Sequence, residues 1–347
     1  MPPRRRRTTL NDVAQAAGLS AATVSYALRG LQVPEETQAR VRDVARQLGY
    51  EVNPIARALA SGRTGTVGVL FGSLEDLWQQ DLAMGLSRSM LAKGRYAIIA
   101  DANGDPQREE RLVRQLLDQH VDGILVSPLD PEAGYWADLT AATAVVSIGD
   151  ALTSAPDAGC VLFDNRQGVA TALGHLAGLG HHRVAVFTPA LPRTPERPAD
   201  LLATEIGTEL GLEVVLVHAQ ASTTSAAAAA ATILSAEDRP TAAFAMSDSM
   251  AYGVYLAAQH HHLRIPEDLS VLGYDDHLTS QLVNPALTTL SWDEAGIIAT
   301  GVDLVLGAID DGNLQRRVTF EPEIQIRAST RAVGRPRAPN PHEQPTT

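Results

Sequence analysis

The chain holds 347 residues, 45% of them hydrophobic and 20% charged. At roughly 150 residues per domain this implies two or three globular domains, and it excludes a disulfide-stapled miniprotein, a disordered acidic chain and a fibrous repeat. A single cysteine, Cys160, rules out an internal disulfide and fits a reducing cytoplasm. No stretch approaches the roughly 18 uncharged apolar residues of a membrane helix. The N-terminal run of prolines and arginines lacks the apolar core of a secretory signal.

Charge is divided unevenly along the chain. Residues 1–63 carry ten arginines against five acids, a net of +5. The whole chain carries −12, so the remainder carries −17. A basic head on an acidic body points to a polyanionic partner for the head alone.

The first predicted element is a helix over Asp12–Ala17, with Thr8 or Thr9 as N-cap and Gly18 as stop. Ser20 caps a second helix, Ala21–Leu28, and Val13, Ala17, Leu19, Val24 and Leu28 supply the apolar contacts between the two. Two short helices around a glycine turn read as a helix-turn-helix. Pro34 opens a third helix with Val41, Val44, Ala45 and Leu48 at helical spacing, and Gly49 ends it. The outer residues of the second helix, Ala21, Ala22, Thr23 and Ser25, are small and uncharged, which suits entry into a major groove. A three-helix bundle without a ligand is the alternative; the four arginines ahead of it argue against that. Asn53-Pro54 starts and Ser61-Gly62 stops a further segment of about two turns, too short to persist as a helix alone in water.

From Thr64 onward, nine short apolar runs alternate with amphipathic stretches. The runs are Val67–Phe71, Tyr96–Ala100, Gly123–Val126, Ala144–Ile148, Cys160–Phe163, Val184–Phe187, Val214–Val217, Ala242–Met246 and Ser270–Gly273. Helices are predicted over Leu77–Lys93, Gln107–Gln119, Gln167–Leu179, Ser222–Leu234 and Met250–Gln259. Strands spaced by helices form parallel sheets, and nine are too many for one tidy sheet, so two doubly wound lobes are expected. Ligands of such sheets bind beyond the carboxyl ends of strands. That rule selects Ser73, Asp101, Asn103, Asp150, Asp164, Ser247, Asp248 and Asp275. Carboxylates and amides converging on a cleft suit a polyol, because each accepts from vicinal hydroxyls.

The run Thr9-Leu10-Asn11-Asp12-Val13-Ala14, Gly18-Leu19-Ser20, Thr23-Val24-Ser25, Thr37, Val41, Ala45, Leu48-Gly49-Tyr50, Asn53 and Ala56-Arg57-Ala58-Leu59 resembles the lactose-repressor/galactose-repressor family of bacterial transcription regulators. In the body, Val67-Gly68-Val69-Leu70, Val121-Asp122-Gly123-Ile124, Asp164-Asn165 with Gly168, Leu179-Gly180-His181, and Gly273-Tyr274-Asp275-Asp276 with Pro285 and Leu287-Thr288-Thr289 extend the likeness to about residues 8–330. The resemblance implies a small all-α helix-turn-helix head followed by an α/β, two-lobed, periplasmic-binding-protein-like effector domain whose chain crosses between lobes three times. It implies a cytoplasmic homodimer or tetramer that binds a palindromic double-stranded operator and answers to a small molecule, here expected to be a carbohydrate.

By position, the resemblance assigns base reading to Ala21, Ala22 and Tyr26, with phosphates held by Thr23, Ser25 and helix N-termini. Thr9, Ser20, Asn53, Ala56 and Arg57 complete the expected DNA contacts. Leu59 is the expected wedge that opens a central base step from the minor groove. Trp78 stands where the family stacks an aromatic ring on its ligand. Arg197, in a loop interrupted by Pro189, Pro192, Pro195 and Pro198, is the expected ligand clamp; Asp200 replaces the glycine usual three residues later. The expected organisation is a disordered basic arm over 1–8, the DNA-binding domain over 9–52, a hinge helix over 53–63, the effector domain over 64–331 and a disordered tail over 332–347.

The histidines at 181–182 and 260–262 lack cysteine or carboxylate partners at metal spacing. Adjacent acids at 275–276 and 310–311 diverge and do not read as catalytic pairs. Ala226 to Ala231 reads simply as a good helix former. No phosphate loop, nucleophile elbow or zinc spacing is present, so no enzyme, cofactor or metal is expected. A sugar-uptake binding protein is the first rival reading, opposed by the basic helix-turn-helix. The second is an enzyme on an α/β fold, opposed by the missing constellations. A third, a DNA-binding regulator with a degenerate effector site, is kept open by the unusual Arg197 loop.

Overall fold

Capping builds the head. Helix α1 (Leu10–Ala17) starts at Thr9, whose hydroxyl accepts from the Asp12 amide while the Asp12 carboxylate accepts from the Thr9 amide, a closed capping box. Gly18 ends it with φ 66°, a left-handed position that glycine takes without strain. Helix α2 (Ala21–Leu28) begins where Ser20 Oγ accepts from the Thr23 amide at 3.1 Å. Helix α3 (Glu35–Gln47) follows Pro34. The core they share is Val13, Ala14, Val24, Ala27, Val41 and Ala45. A buried valine contributes roughly 1.5–3 kcal/mol and a good cap about 1 kcal/mol, so in so small a core the caps carry a sizeable share of the stability.

The computed structural model describes residues 8–28, 30–50, 58, 62–189, 199–312 and 316–333. It separates into two units, Met1–Thr64 and Gly65–Thr347. Residues 1–7 of the basic arm, the hinge residues Asn53, Ala56, Arg57 and Leu59, the expected clamp Arg197, and the tail from residue 334 lie outside the described residues.

All nine apolar runs are strands. β1 (Thr66–Phe71), β2 (Tyr96–Asp101), β3 (Gly123–Val126), β4 (Ala144–Gly149) and β5 (Gly159–Phe163) join β11 (Arg317–Phe320) in a six-stranded parallel sheet of order β11-β5-β4-β3-β1-β2. β6 (Arg183–Pro189), β7 (Glu213–Ala219), β8 (Ala242–Ala245) and β9 (Ser270–Leu272) form a four-stranded parallel sheet of order β7-β6-β8-β9. The inner strands were legible because parallel strands buried on both faces read as unbroken apolar runs; the edge strands β2 and β7 are apolar too but only partly buried.

In the first lobe, Val67, Val69 and Phe71 face α4 (Leu77–Ala92) and α12 (Glu294–Asp311), while Leu70 faces α5 (Pro106–Asp118) and α6 (Tyr135–Ala142). In the second, Val184 and Val186 face α7 (Asn165–Gly178) and α8 (Ala199–Glu209), while Ala185 and Phe187 face α9 (Thr223–Leu234) and α10 (Asp248–His260). The alternation is the period of two expected of a strand.

The alanine run proves to be more than a helix former. It lines the contact of α9 with α10, where a Cβ on Gly253 would lie 2.5 Å from the Thr223 carbonyl and 2.7 Å from Ala226 Cβ. Small side chains on both helices allow that approach.

The chain passes between lobes after β5, after β10 (Thr289–Ser291) and between β11 and β12 (Glu323–Gln325), the last of which pairs antiparallel with β10. The short helix α11 (Thr279–Leu282) lies between β9 and β10. Among the described residues no helix is long and apolar enough to cross a membrane.

Candidate functional site

In the head, the exposed side of α2 presents Ala22 and Tyr26, the latter 41% exposed. Ala21 packs in part against the head core. Thr23 and Ser20 share a hydroxyl–hydroxyl bond of 2.8 Å, and Thr9 donates to Asp12 at 2.8 Å. These hydroxyls therefore fix the helix starts, and the remaining free amides at each N-terminus suit phosphate oxygens. Ser25 is half-buried, and α2 carries no charge along its length. Its exposed side offers methyl groups and one phenol.

The body places its second feature between the lobes. Two adjoining cavities, of about 120 and about 350 Å³, share Gln79, Pro189 and Ala221. Their walls follow the carboxyl ends of strands in both sheets, as open α/β sheets dictate. The smaller is lined by Asp76 and Trp78 from α4 and its cap, Phe163 and Asn165 after β5, and Ser247, Tyr274, Asp275 and Trp292 from the second lobe and its crossover. Ser73 lines the larger, with Asn103, Ser127 and Gln220.

An aromatic cluster holds these walls together. Trp78 meets Phe163 edge-on at 5.5 Å, Phe163 lies 4.9 Å from Trp292, and Trp292 lies 5.5 Å from Tyr274. Trp292 Nε1 donates to the Tyr274 carbonyl at 2.9 Å, and the Tyr274 hydroxyl donates to Asn165 Oδ1 at 2.9 Å. Gly168 makes room for that hydroxyl: a Cβ there would lie 2.5 Å from it. Two contacts tie α4 to the second lobe: the Leu77 amide donates to Ser249 Oγ at 3.0 Å, and Asp81 sits 3.2 Å from His277 Nε2.

Of the expected ligand residues, Ser73, Trp78, Asn103, Ser247 and Asp275 line the cavities, and four aspartates do not. Asp248 is 1% exposed, and its carboxylate accepts from the Tyr274, Asp275 and His277 amides and from the Ser280 and Thr289 hydroxyls. Fully engaged, it shapes the loop after β9 and has no lone pair to offer a ligand. Asp101 accepts from the Leu74 and Asn103 amides at 3.1 and 2.9 Å and lines a separate recess with Arg108. Asp164 caps α7 through the Gln167 amide. Asp150 is fully buried after β4 and lines neither cavity. Each sits at a strand end, as the topological rule requires, but the carboxylates of Asp101, Asp164 and Asp248 accept from nearby backbone amides.

Sequence reasoning missed Asp76, Gln79, Phe163, Asn165, Tyr274 and Trp292. Phe163 and Tyr274 were readable as the large residues closing or following apolar runs. Asp76 was readable as the N-cap of α4, accepting from the Gln79 amide at 3.1 Å. The paired histidine is also explained: His181 is buried, with Nδ1 bonded to Thr241 and Nε2 to Ser270. Among the described residues no cluster of His, Cys, Asp and Glu could hold a metal ion.

Two carboxyls in the smaller cavity are electrostatically unusual. Burial pushes Asp275 well above the ordinary carboxylate range, Asp76 and Asp248 push it further, and the Asp248 amide pulls it back. Burial likewise raises Asp76, against the pull of the Gln79 amide and the nearby Ser247 hydroxyl, and Asp248 adds to the rise. Asp76 is 3% exposed, and its Oδ2 has no hydrogen-bond partner within the protein. A buried acceptor left unpaired is costly.

Comparison with known proteins follows this geometry. Residues 9–53 match the family described as bacterial regulatory proteins, lacI family, and residues 173–330 match the periplasmic binding protein-like domain. The chain is 29% identical to the HTH-type transcriptional repressor PurR of Vibrio atlanticus (strain LGP32), over 94% of this chain and 99% of the relative. It is also 29% identical to the ribose operon repressor of Escherichia coli (strain K12), over 92% and 99%. A crystal structure of the Lac repressor dimer bound to operator and the anti-inducer ONPF shares the fold, with TM-score 0.80 and 23% identity over 94% of this chain and 100% of that one. The helix-turn-helix head thus matches the lacI family of bacterial regulatory proteins, and the two-lobed parallel α/β body that follows it matches the periplasmic binding protein-like domain.

Proposed function

We propose that this protein is a repressor that binds a palindromic operator as a homodimer through Thr9, Ser20, Ala21, Ala22, Thr23, Ser25, Tyr26, Asn53, Ala56, Arg57 and Leu59, and that a sugar or sugar-like molecule bound between its lobes controls that affinity in the cytoplasm. The cleft carries this reading: one cavity receives aromatic faces and carboxyl groups from both lobes, the combination that seats a ring by its apolar face and its edge donors. Relatives named as repressors, one of a ribose operon, support it. A ligand that touches both lobes favours one lobe arrangement, and that differential affinity is what shifts the operator-bound population. The cavity with an unpartnered buried acceptor on its wall favours a working site over a degenerate one. Trp78 and Asp275 are the proposed ligand contacts, with Ser73 and Ser247 beside them.

The experiment is a gel-shift or fluorescence titration of the protein's own upstream DNA with and without a panel of monosaccharides, disaccharides and nucleobases. A compound that changes operator affinity at least about tenfold, within the usual range of allosteric coupling, supports the reading. Operator binding that no compound in the panel moves would sink it.

A further inference from the structure

Two carboxyls from opposite lobes line the smaller cavity. Asp76 comes from the first lobe, at the start of α4, and Asp275 from the second, after β9. Glu75 lines the adjoining chamber. Among the described residues lining the two chambers there is no lysine or arginine. Four rings, Trp78, Phe163, Tyr274 and Trp292, line the small chamber beside the polar Gln79, Asn165 and Ser247.

We infer that the ligand of this cleft carries a positive group, an ammonium on a ring, which sits between Asp76 and Asp275 with the aromatic faces around it; the chemical class is an amino sugar or a comparable ring amine. This deepens the proposed function and rests on its cleft. Three features converge on it. Asp76 Oδ2 is buried without a partner, so the protein leaves an acceptor that a ligand donor must satisfy. Two carboxyls from opposite lobes repel when both are ionised, and a cation between them turns that repulsion into attraction. Aromatic faces attract the same charge. Burial raises both carboxyls, and a cation held between them would draw both back down.

A neutral polyol would leave the pair to share a proton, while a phosphorylated sugar would bring a third negative charge against them. The arrangement also ties ligand charge to the lobes: a cation held by one carboxyl of each lobe draws them together, which a neutral ring does less strongly.

The test is calorimetric titration of the full chain at about pH 7 with D-glucosamine, D-galactosamine and D-mannosamine, each against its neutral parent hexose and the parent's phosphate ester. The best amino sugar should bind at least about tenfold more tightly than its parent, because a charge-assisted bond is roughly twice as strong as a neutral one. The phosphate esters should not bind. Asp76→Asn keeps an N-cap acceptor for α4 but removes the charge. It should erase the amine preference, weakening the amino sugar about tenfold and the parent much less. Asp275→Asn should do the same. Raising the pH while the amine stays protonated should tighten the amino sugar, as the carboxyls ionise, and leave the parent nearly flat. A parent hexose that binds as well as its amino counterpart overturns the inference and leaves the effector cleft standing. Amino sugars that give no heat at all overturn it too. If, in addition, no panel compound alters operator binding, the cleft reading itself has failed.

Discussion

Asp248 and Asp275 hold each other's backbone: the Asp275 carboxylate accepts from the Asp248 amide at 2.8 Å, and the Asp248 carboxylate accepts from the Asp275 amide at 3.2 Å. The two acids are nevertheless unequal. Asp248 is sealed among amide and hydroxyl donors, whereas Asp275 keeps a face on the cavity. Asp248→Ala would strand buried donors on Tyr274, His277, Ser280 and Thr289 as well as Asp275. The expected loss of stability is about 3–5 kcal/mol, near the upper end for single substitutions. Urea unfolding measures it, and a loss under about 1 kcal/mol would refute the keystone role.

Asp275→Ala should act on the ligand. Loss of its acceptor should weaken the effector by about 1–3 kcal/mol, read as a rightward shift of the concentration that half-changes operator affinity. A mutant that responds at wild-type concentrations would remove Asp275 from the site.

Asp76 makes a pH-dependent prediction. Its carboxyl is raised in the folded protein, so its favourable contribution is full below the unfolded value of about 3.9 and is lost as pH rises through the raised folded value. Asp76→Asn escapes that loss. Its melting temperature should match wild type at acid pH and exceed it once the pH passes the raised folded value, by about 1–2 °C for each kcal/mol at this chain length. A gap that is constant with pH would contradict the raised carboxyl.

Operator binding should depend strongly on salt and reside in the head. The +5 segment and the −17 remainder motivate this. Neutralising about six phosphates per dimer predicts a log–log salt slope near −5. A fragment beginning at Thr64 that still retards DNA would disprove it.

Leu59 is the proposed minor-groove wedge. Leu59→Ala should weaken operator binding more than binding to random duplex, since alanine is too small to hold a base step open. Equal losses on both duplexes would rule the wedge out.

Much of this protein was legible in its sequence because its signals are local. Thr9 and Ser20 cap the first two helices at the predicted places, since a cap is decided within four residues. Nine strands followed from apolar runs, and in the inner ones burial on both faces leaves no alternation to misread. The family resemblance was carried by the head and by short motifs around those strands. β10 and β12 escaped because each is a three-residue strand whose pairing partner lies some 30 residues away in sequence, Leu290 opposite Ile324. α12 escaped too: its Asp293 cap and Gly312 stop are ordinary, and only its seat on the first sheet shows that the chain has returned there.

What tertiary structure alone decided was the use of each acid. Asp76, Asp101, Asp164, Asp248 and Asp275 all stand near strand or helix ends, and the strand-end rule selects all of them except Asp76. Asp101 and Asp164 turn to neighbouring amides, Asp248 is enclosed by donors up to 41 residues distant, and Asp76 and Asp275 meet across the lobes. A carboxylate binds whatever donors surround it, and those donors are assembled by chain crossings that no local pattern encodes.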